Sequence, residues 1–237
     1  MDNKVNNLNL DEISLFSSPI GQCVQQFTTD LLLSGYDRTG QYAHYMQSVN
    51  DAIGNISQSF DDIEMCIKLI RFADPKIKSF KMTKVDRGDY LKYHFENYFF
   101  RLPKLKDQIL QLLNVVYRMG LSQSNGLEKK VRANPIVQSK KLFYILDYFD
   151  DILKEIKPLR DTIAHRSDLG GADIAMLTSY QLAPYDRSQY ELRLQVMISH
   201  THIFTKNQGT LRQAIFVLLL MIEDDFKQFQ SELHSLI

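Results

Sequence analysis

The chain has few of the features that mark secreted, membrane-spanning or disulfide-stabilised proteins. Its 237 residues include two cysteines, Cys23 and Cys66, which are too few for a disulfide framework and typical of reduced intracellular proteins. The longest uninterrupted apolar run, residues 214–222, is far shorter than the roughly 20 residues needed to cross a bilayer. Residues 1–7 contain no apolar secretory core. These absences predict a cytoplasmic protein with no membrane segment.

An excess of charge of one sign is also lacking. The chain has 28 lysines and arginines against 28 aspartates and glutamates, so its net charge is zero. Proteins that coat nucleic acid usually carry a basic excess, so this balance excludes a general coating role but leaves room for a local basic site. The sequence also lacks the Gly-x-x-x-x-Gly-Lys phosphate loop and the Gly-x-Ser-x-Gly elbow of hydrolases.

A metal-binding cluster is not evident either. His200 and His202 flank Thr201, and on a strand they would share a face and could bind a metal. No cysteine or carboxylate follows at ligand spacing, so we interpret them as two separate surface histidines. We therefore expect no metal and no cofactor.

Helical periodicity dominates what is present. Apolar residues recur at alternating spacings of three and four, which is typical of long helices that each bury one stripe. The stripes are Leu91, Phe95, Tyr98, Leu102, Leu105, Ile109, Leu112 and Val116; Leu142, Ile145, Phe149, Ile152, Ile156, Leu159 and Ile163; and Leu211, Ile215, Leu218, Ile222, Phe226, Phe229, Leu233 and Leu236. Pro103 lies within the first stripe and predicts a kink or a break. The pattern predicts an all-α helical bundle.

The N-terminal part predicts a further pair of helices. One covers about residues 10–33, bent near Pro19, and the other covers about residues 41–72. We predict that residues 1–75 form a helical hairpin packed on a helical domain of residues 89–237, or that the whole chain is one domain.

Two connecting segments are less regular. The loop at residues 74–88 contains four lysines and one arginine; we favour a solvated linker, and the alternative is an arm that faces phosphate. In residues 192–198, apolar residues alternate in a way that is closer to strand periodicity. We predict a short strand or an irregular connection there.

The stretch from Arg160 to His165 is the strongest indication of chemistry. Arginine carries a permanent charge on a planar fork that matches phosphate oxygens, and histidine exchanges a proton near neutral pH. Asp161 and His165 are four residues apart, so on a helix they are neighbours on one face. Helix geometry places His165 roughly opposite the apolar stripe and Arg160 near the edge of the stripe.

Looser versions of this pattern occur elsewhere in the chain. An arginine is followed by a histidine at Arg38 and His44, at Arg87 and His94, and at Arg193 and His200. The pair of Arg160 and His165 differs from these in its tight spacing, in the aspartate that follows the arginine, and in its position after a long amphipathic helix.

The sequence Leu-Arg-Asp-Thr-Ile-Ala-His-Arg at residues 159–166 resembles the signature of the HEPN superfamily, in which an arginine, a polar residue and three further residues precede a histidine. Residues 93–101 and 109–117 also resemble a bacterial HEPN subgroup. The resemblance covers roughly Tyr90 to the C-terminus. It implies an HEPN-like bundle, to which the first 75 residues are a helical extension.

The resemblance also implies a function. HEPN proteins dimerise, and many are metal-independent endoribonucleases whose site lies at the dimer cleft and uses the motifs of both protomers. Many act as toxins or in phage defence under the control of an antitoxin or another regulatory partner. The expected catalytic residues are Arg160, Asp161 and His165. The alternative is a HEPN module without catalysis that binds RNA, a nucleotide or a protein.

Three further residues are candidates for supporting roles. Glu96 and Arg101 either form an ordinary exposed charged pair or act together to position Arg160, and both interpretations stay open. Arg166 could contact RNA, although a surface residue without a role is the favoured interpretation.

Overall fold

The computed structural model describes residues 14–34, 40–77, 87–122, 126–164 and 187–235. Every regular element in these ranges is helical, which confirms the all-α prediction. Within the described ranges, a short 3-10 turn at Leu15–Ser17 precedes nine helices: α1 (Pro19–Ser34), α2 (Gln41–Phe72), α3 (Arg87–Val116), α4 (Leu127–Arg132), α5 (Pro135–Ser139), α6 (Tyr144–Ala164), α7 (Arg187–Ser199), α8 (Thr201–Met221) and α9 (Glu223–His234). No helix within the described ranges has the length and hydropathy required to span a membrane.

The apolar stripe predicted for α3 is buried along its whole length. Each of its eight members, from Leu91 to Val116, is at most 1% exposed. Pro103 does not split the helix, which continues as one element from Arg87 to Val116. The proline is exposed whereas its neighbours Leu102 and Leu105 are buried, so packing on the inner face holds the helix together across the missing hydrogen bond.

The prediction of a strand or irregular connection over residues 192–198 is wrong, because this segment belongs to α7. Leu194 and Met197 are buried, whereas the alternating residues Leu192 and Val196 are 52% and 43% exposed. The helix therefore has apolar side chains on its outer face as well as its inner face. Apolar residues on both faces of a helix imitate the alternation of a strand.

Two compact units make up the chain. The first unit comprises Met1–Phe60, Leu105–Phe149 and Gly209–Ile237, and the second comprises Asp61–Lys104 and Asp150–Gln208. The unit boundaries fall inside α2, α3, α6 and α8, so each of these helices contributes a segment to both units.

The first unit combines an apolar core with a polar network at α9. The Tyr45 hydroxyl donates to the Val116 carbonyl at 3.2 Å. Asp225 accepts a hydrogen bond from the Tyr117 hydroxyl at 2.8 Å and forms an ion pair with Lys140 at 2.6 Å. Burial, together with the Asp225 carboxylate, raises the pKa of Tyr117, so its hydroxyl stays protonated and remains a donor.

The second unit is built around aromatic rings from α3 and α8. Phe204, which is fully buried, stacks on Tyr98 with ring centroids 3.9 Å apart. Phe95 and Phe99 meet the same ring edge-on, at 5.6 and 6.0 Å. Offset and edge-on contacts of this kind stabilise aromatic pairs beyond the burial of their area.

The basic residue at the end of the 74–88 loop has a structural role. The Arg87 guanidinium donates to the carbonyls of Ala73, Asp74 and Ile77 at 2.9, 2.7 and 3.1 Å. These contacts satisfy backbone acceptors just beyond the C-terminus of α2, where a helix leaves its last carbonyls unpaired. Lys78, Lys81 and Lys84 lie outside the described residues, so the two interpretations of the loop stay open.

Candidate active site

The candidate site lies in the last two turns of α6. Ile152 and Ile156, which belong to the predicted stripe, are each 4% exposed and hold the inner face of this helix. Pro158 is exposed and the helix continues through it to Ala164. On the outer side, the side chains of Arg160 and Asp161 are 43% and 35% exposed.

Arg160 and Asp161 form a side-chain pair. The Nε and Nη2 groups of Arg160 donate to the same oxygen, Oδ1 of Asp161, at 3.2 and 3.0 Å. The pair is too exposed to contribute much stability. Its consequence is geometric: the carboxylate contacts one edge of the guanidinium. Among the residues that the structure describes, the outer Nη edge has no partner, and its N–H donors suit another anion.

His165 and Arg166 lie outside the described residues. The predicted adjacency of Asp161 and His165 therefore stays a prediction. In the described part, Asp161 contacts the neighbouring arginine. The arrangement of Arg160 and Asp161 can bind and orient a phosphate group, but moving a proton requires the histidine.

Arg101 has a partner that the sequence did not indicate. It forms an ion pair with Asp62 of α2, and both side chains are about two-thirds buried. The pair lies beside Cys66, whose pKa is raised by burial, an effect that the nearby Arg101 guanidinium partly offsets. A raised pKa keeps Cys66 a protonated thiol, which is a poor nucleophile.

Glu96 does not complete this cluster. It is half-buried on α3, and within the described residues Arg101 pairs with Asp62 and not with Glu96. Asp62 follows the buried Phe60 and precedes the buried Ile63, so in the sequence it looks like any polar residue beside a stripe. The partner of Asp62 is Arg101, 39 residues further along the chain, so no local pattern in the sequence could have predicted this ion pair.

Three buried donors belong to the same unit as this cluster. The Tyr98 hydroxyl, Arg101 Nε and the Asn207 side-chain amide have no hydrogen-bond acceptor among the residues that the structure describes. Burial, with the negative charge of Glu155 adding to it, raises the pKa of Tyr98, so this hydroxyl stays protonated and cannot act as a base.

His200 and His202 are not on a strand. His200 occupies the turn between α7 and α8, and His202 is exposed in the first turn of α8. Across the described ranges, no cluster of three histidines, cysteines or carboxylates has the geometry to hold a metal ion.

His94, which follows Arg87 in one of the looser arginine–histidine patterns, is buried. It is 8% exposed and packs against the rings of Tyr90 and Tyr93, with centroids 4.4 and 5.1 Å away. Burial lowers its pKa below the ordinary value of 6.5, so it is neutral at pH 7. This burial explains its position in the structure without any catalytic role.

The buried His94 should make stability depend on pH. Above the unfolded pKa of about 6.5, histidine is mostly neutral in both states and there is no penalty. As the pH falls from there towards the lower folded pKa, the unfolded chain binds a proton that the folded chain does not, so stability is lost. We expect the free energy of unfolding, measured with urea, to fall more between about pH 7.5 and 5.5 in the natural chain than in His94→Phe. Equal losses in both proteins would contradict the assignment.

These helices and this exposed pair define an all-α protein with an arginine–carboxylate pair near the end of a long helix. A family model described as HEPN_Cthe2314-like HEPN matches residues 45–227, so the chain belongs to this HEPN family. The match includes Arg160, Asp161 and His165, and it begins within α2, well before the region of resemblance found in the sequence. Comparisons with curated proteins and with solved structures found no match.

Proposed function

We propose that this chain is a metal-independent endoribonuclease of the HEPN type. The observation that carries the proposal is the exposed Arg160 guanidinium, oriented by Asp161 and five residues before His165 in the motif. Membership of the HEPN family supports it, because the arginine, the polar residue and the histidine of the family signature are all present.

The chemistry assigns a role to each residue. The RNA 2′-hydroxyl attacks the adjacent phosphorus, the bond to the 5′-oxygen breaks, and the products are a 2′,3′-cyclic phosphate and a 5′-hydroxyl. Arg160 binds the phosphate and neutralises the charge that develops on the phosphorane. His165 transfers a proton, and Asp161 holds the arginine in place.

The motif supplies one histidine, whereas the reaction needs both a general acid and a general base. A homodimer in which two motifs share one cleft supplies both, and this is the quaternary arrangement that we propose. Mixing natural protomers with His165→Ala protomers under conditions of subunit exchange should then lower the activity as the square of the natural fraction. The measurement is cleavage rate against mixing ratio, and a linear dependence would rule out a composite site.

The direct test of the function is RNA cleavage in EDTA, with analysis of the product ends. The natural chain should produce 2′,3′-cyclic phosphate and 5′-hydroxyl ends, and Arg160→Ala and His165→Ala should not. Cleavage that survives both substitutions, or that requires a divalent metal ion, would refute the mechanism.

The second candidate is a HEPN module that binds RNA, a nucleotide or a protein without catalysis. The net charge of zero favours the forms that bind a nucleotide or a protein, since tight RNA binding usually requires a basic surface. RNA binding without turnover, unchanged in His165→Ala, would support this alternative. If the chain is a nuclease, a role as a toxin or in phage defence, restrained by an antitoxin or another regulatory partner, is the biological setting that we propose.

A further inference from the structure

Positive charge is concentrated in the first unit, between the end of α3 and the start of α6. The segment from Arg118 to Lys141 contains six basic residues and one carboxylate, whereas the whole chain is neutral. Four of the six are exposed: Arg118, Lys129, Lys130 and Lys141. We call these four residues the basic surface, and it is a local site of the kind that a neutral chain can still carry.

The two short helices of this segment pack on each other. α4 and α5 are in contact, and the Gln138 side chain at the end of α5 donates to the Arg132 carbonyl at the end of α4. An open cavity of about 650 Å³ lies between them, and its walls include Lys129, Arg132 and Gln138. The lysines of α4 therefore lie beside the end of α5, where the next basic residues follow.

An aspartate of α9 connects the end of α5 with the end of α3. Asp225 forms an ion pair with Lys140, the residue before Lys141. The same carboxylate accepts a hydrogen bond from Tyr117, the residue before Arg118. The two members of the basic surface that are furthest apart in the sequence are therefore each adjacent to a residue that contacts Asp225.

Neighbouring carboxylates neutralise only part of this charge. The ion pairs are Glu128 with Lys106 and Arg132, Asp147 with Arg132, and Asp225 with Lys140. No member of the basic surface forms an ion pair with a carboxylate in the described ranges. Asp224, exposed beside Asp225, adds one further carboxylate against these four cations, so the surface remains positive.

Two members of the basic surface occupy backbone positions at which glycine is usual. Arg118 and Lys141 have φ angles of 48° and 54°, and they are the non-glycine residues with positive φ in the part of the chain that the structure describes. Each ends a helix in the same way, because the N–H of the following residue bonds to a carbonyl five residues back at 2.9 Å. Glycine adopts this ending at the lowest cost. Both positions thus keep a cation where glycine would be less strained.

The arrangement of the cations suits an extended polyanion. Lys129 and Lys130 are consecutive, so their side chains leave α4 about 100° apart and do not converge on one small anion. None of the large apolar side chains that are exposed in the described residues lies between Arg118 and Lys141. Segments that bind membrane surfaces combine lysines with apolar side chains that enter the bilayer, and protein interfaces have an apolar centre. The surface therefore fits a nucleic-acid backbone better than either of them.

We propose that the basic surface binds the phosphate backbone of RNA without regard to its sequence. The choice of RNA rests on the proposed function, which makes RNA the substrate of this chain. Contacts between lysine or arginine and phosphate carry no sequence information. The basic surface therefore contributes affinity for RNA of any sequence, while the motif that begins at Arg160 performs the cleavage.

The test is the affinity of the full chain for a single-stranded RNA whose 2′-oxygens are methylated, because this probe cannot be cleaved. The surface variant combines Lys129→Gln, Lys130→Gln and Lys141→Gln. Its affinity in 0.1 M salt should be at least about tenfold weaker than that of the natural chain. The slope of log affinity against log salt concentration should fall by about 2, since each contact with a phosphate of a single strand contributes about 0.7.

The control variant has the same change in net charge at lysines that already pair with carboxylates. It combines Lys68→Gln, Lys154→Gln and Lys227→Gln, three exposed positions. Its affinity and its salt slope should match those of the natural chain. An equal loss in both variants would mean that only the overall charge matters, and an unchanged affinity in the surface variant would mean that these lysines do not bind RNA. Either result would overturn the proposal.

Glycine at the two strained positions separates binding from stability. Arg118→Gly with Lys141→Gly removes two charges and suits the left-handed backbone, so binding should weaken severalfold while the midpoint of urea unfolding stays the same or rises. A lower midpoint with unchanged binding would show that these cations only stabilise the helix ends, which would contradict their place in the basic surface.

Vesicles of phosphatidylserine and phosphatidylcholine test the other polyanion. Binding to vesicles that is tighter than binding to RNA, and that the surface variant loses, would assign the surface to a membrane and overturn the proposal. Failure of the proposed function gives a different result. A chain that binds the methylated RNA through this surface but never cleaves unmodified RNA would refute the nuclease and support the surface, whereas cleavage with unchanged binding in the surface variant would refute the surface alone.

Discussion

Arg160→Ala is expected to lower the rate of RNA cleavage by about a hundredfold to a thousandfold, the loss that follows removal of one preorganised donor to a developing oxyanion. The reason is geometric as well as electrostatic. Asp161 holds the guanidinium by Nε and Nη2, so its outer edge is oriented before the substrate arrives. Arg160→Lys keeps the charge but loses the planar fork and the two-point contact with Asp161, so we expect an intermediate rate.

The measurement is single-turnover cleavage of an RNA oligonucleotide in EDTA. Arg193→Ala is a matched control, because Arg193 lies in the same unit and also precedes a histidine, His200, in the chain. It should keep the natural rate. The exposed pair contributes little to stability, so Arg160→Ala should change the free energy of unfolding by less than about 1 kcal/mol. An unchanged cleavage rate in Arg160→Ala, or an equal loss of rate in Arg193→Ala, would contradict the assignment of Arg160 to the active site.

Phe204→Ala is expected to lower the free energy of unfolding by about 3–5 kcal/mol. The ring is fully buried and contacts three other rings, those of Phe95, Tyr98 and Phe99. Its removal forfeits both the transfer free energy of a large side chain and the stacking with Tyr98, and it leaves a cavity that rigid aromatic neighbours cannot fill. Such a loss is a large fraction of the stability of an ordinary domain.

Urea unfolding followed by circular dichroism measures this effect. Ile203→Ala is the control on the adjacent residue of α8, which is 40% exposed, and it should cost much less. Phe204→Leu should fall between them, because it refills part of the volume. A loss for Phe204→Ala no greater than that for Ile203→Ala would mean that the aromatic cluster does not form the core of this unit.

Local periodicity was sufficient to predict most of the helices. The second predicted N-terminal helix, residues 41–72, has the bounds that the structure gives to α2. The stripes of α3 and α6 were correct where they are described because burial of one face is the main determinant of helix formation in water, and it repeats every three or four residues. Pro103 and Pro158 did not break their helices, because the burial of the apolar stripes around them outweighed the hydrogen bond that each proline removes.

The wrong prediction for α7 arose because both of its faces carry apolar residues. Its outer face carries Leu192 and Val196, so hydrophobicity by itself could not distinguish the buried positions from the exposed ones. Tertiary packing decides that Leu194 and Met197 are the buried residues, and packing against distant parts of the chain leaves no local signal in the sequence.

The sequence by itself determined the all-α class, the stripes, and the motif of Arg160, Asp161 and His165, because each of these depends on residues within a few helical turns of one another. Tertiary structure decided the partners that lie across helices. Arg101 pairs with Asp62, 39 residues away, rather than with Glu96, and Tyr93 and Phe100 remain exposed whereas Phe95 and Tyr98 are buried. The physical reason is that a long side chain can bond to any neighbour, and only the packing of one helix against another determines which neighbour is present.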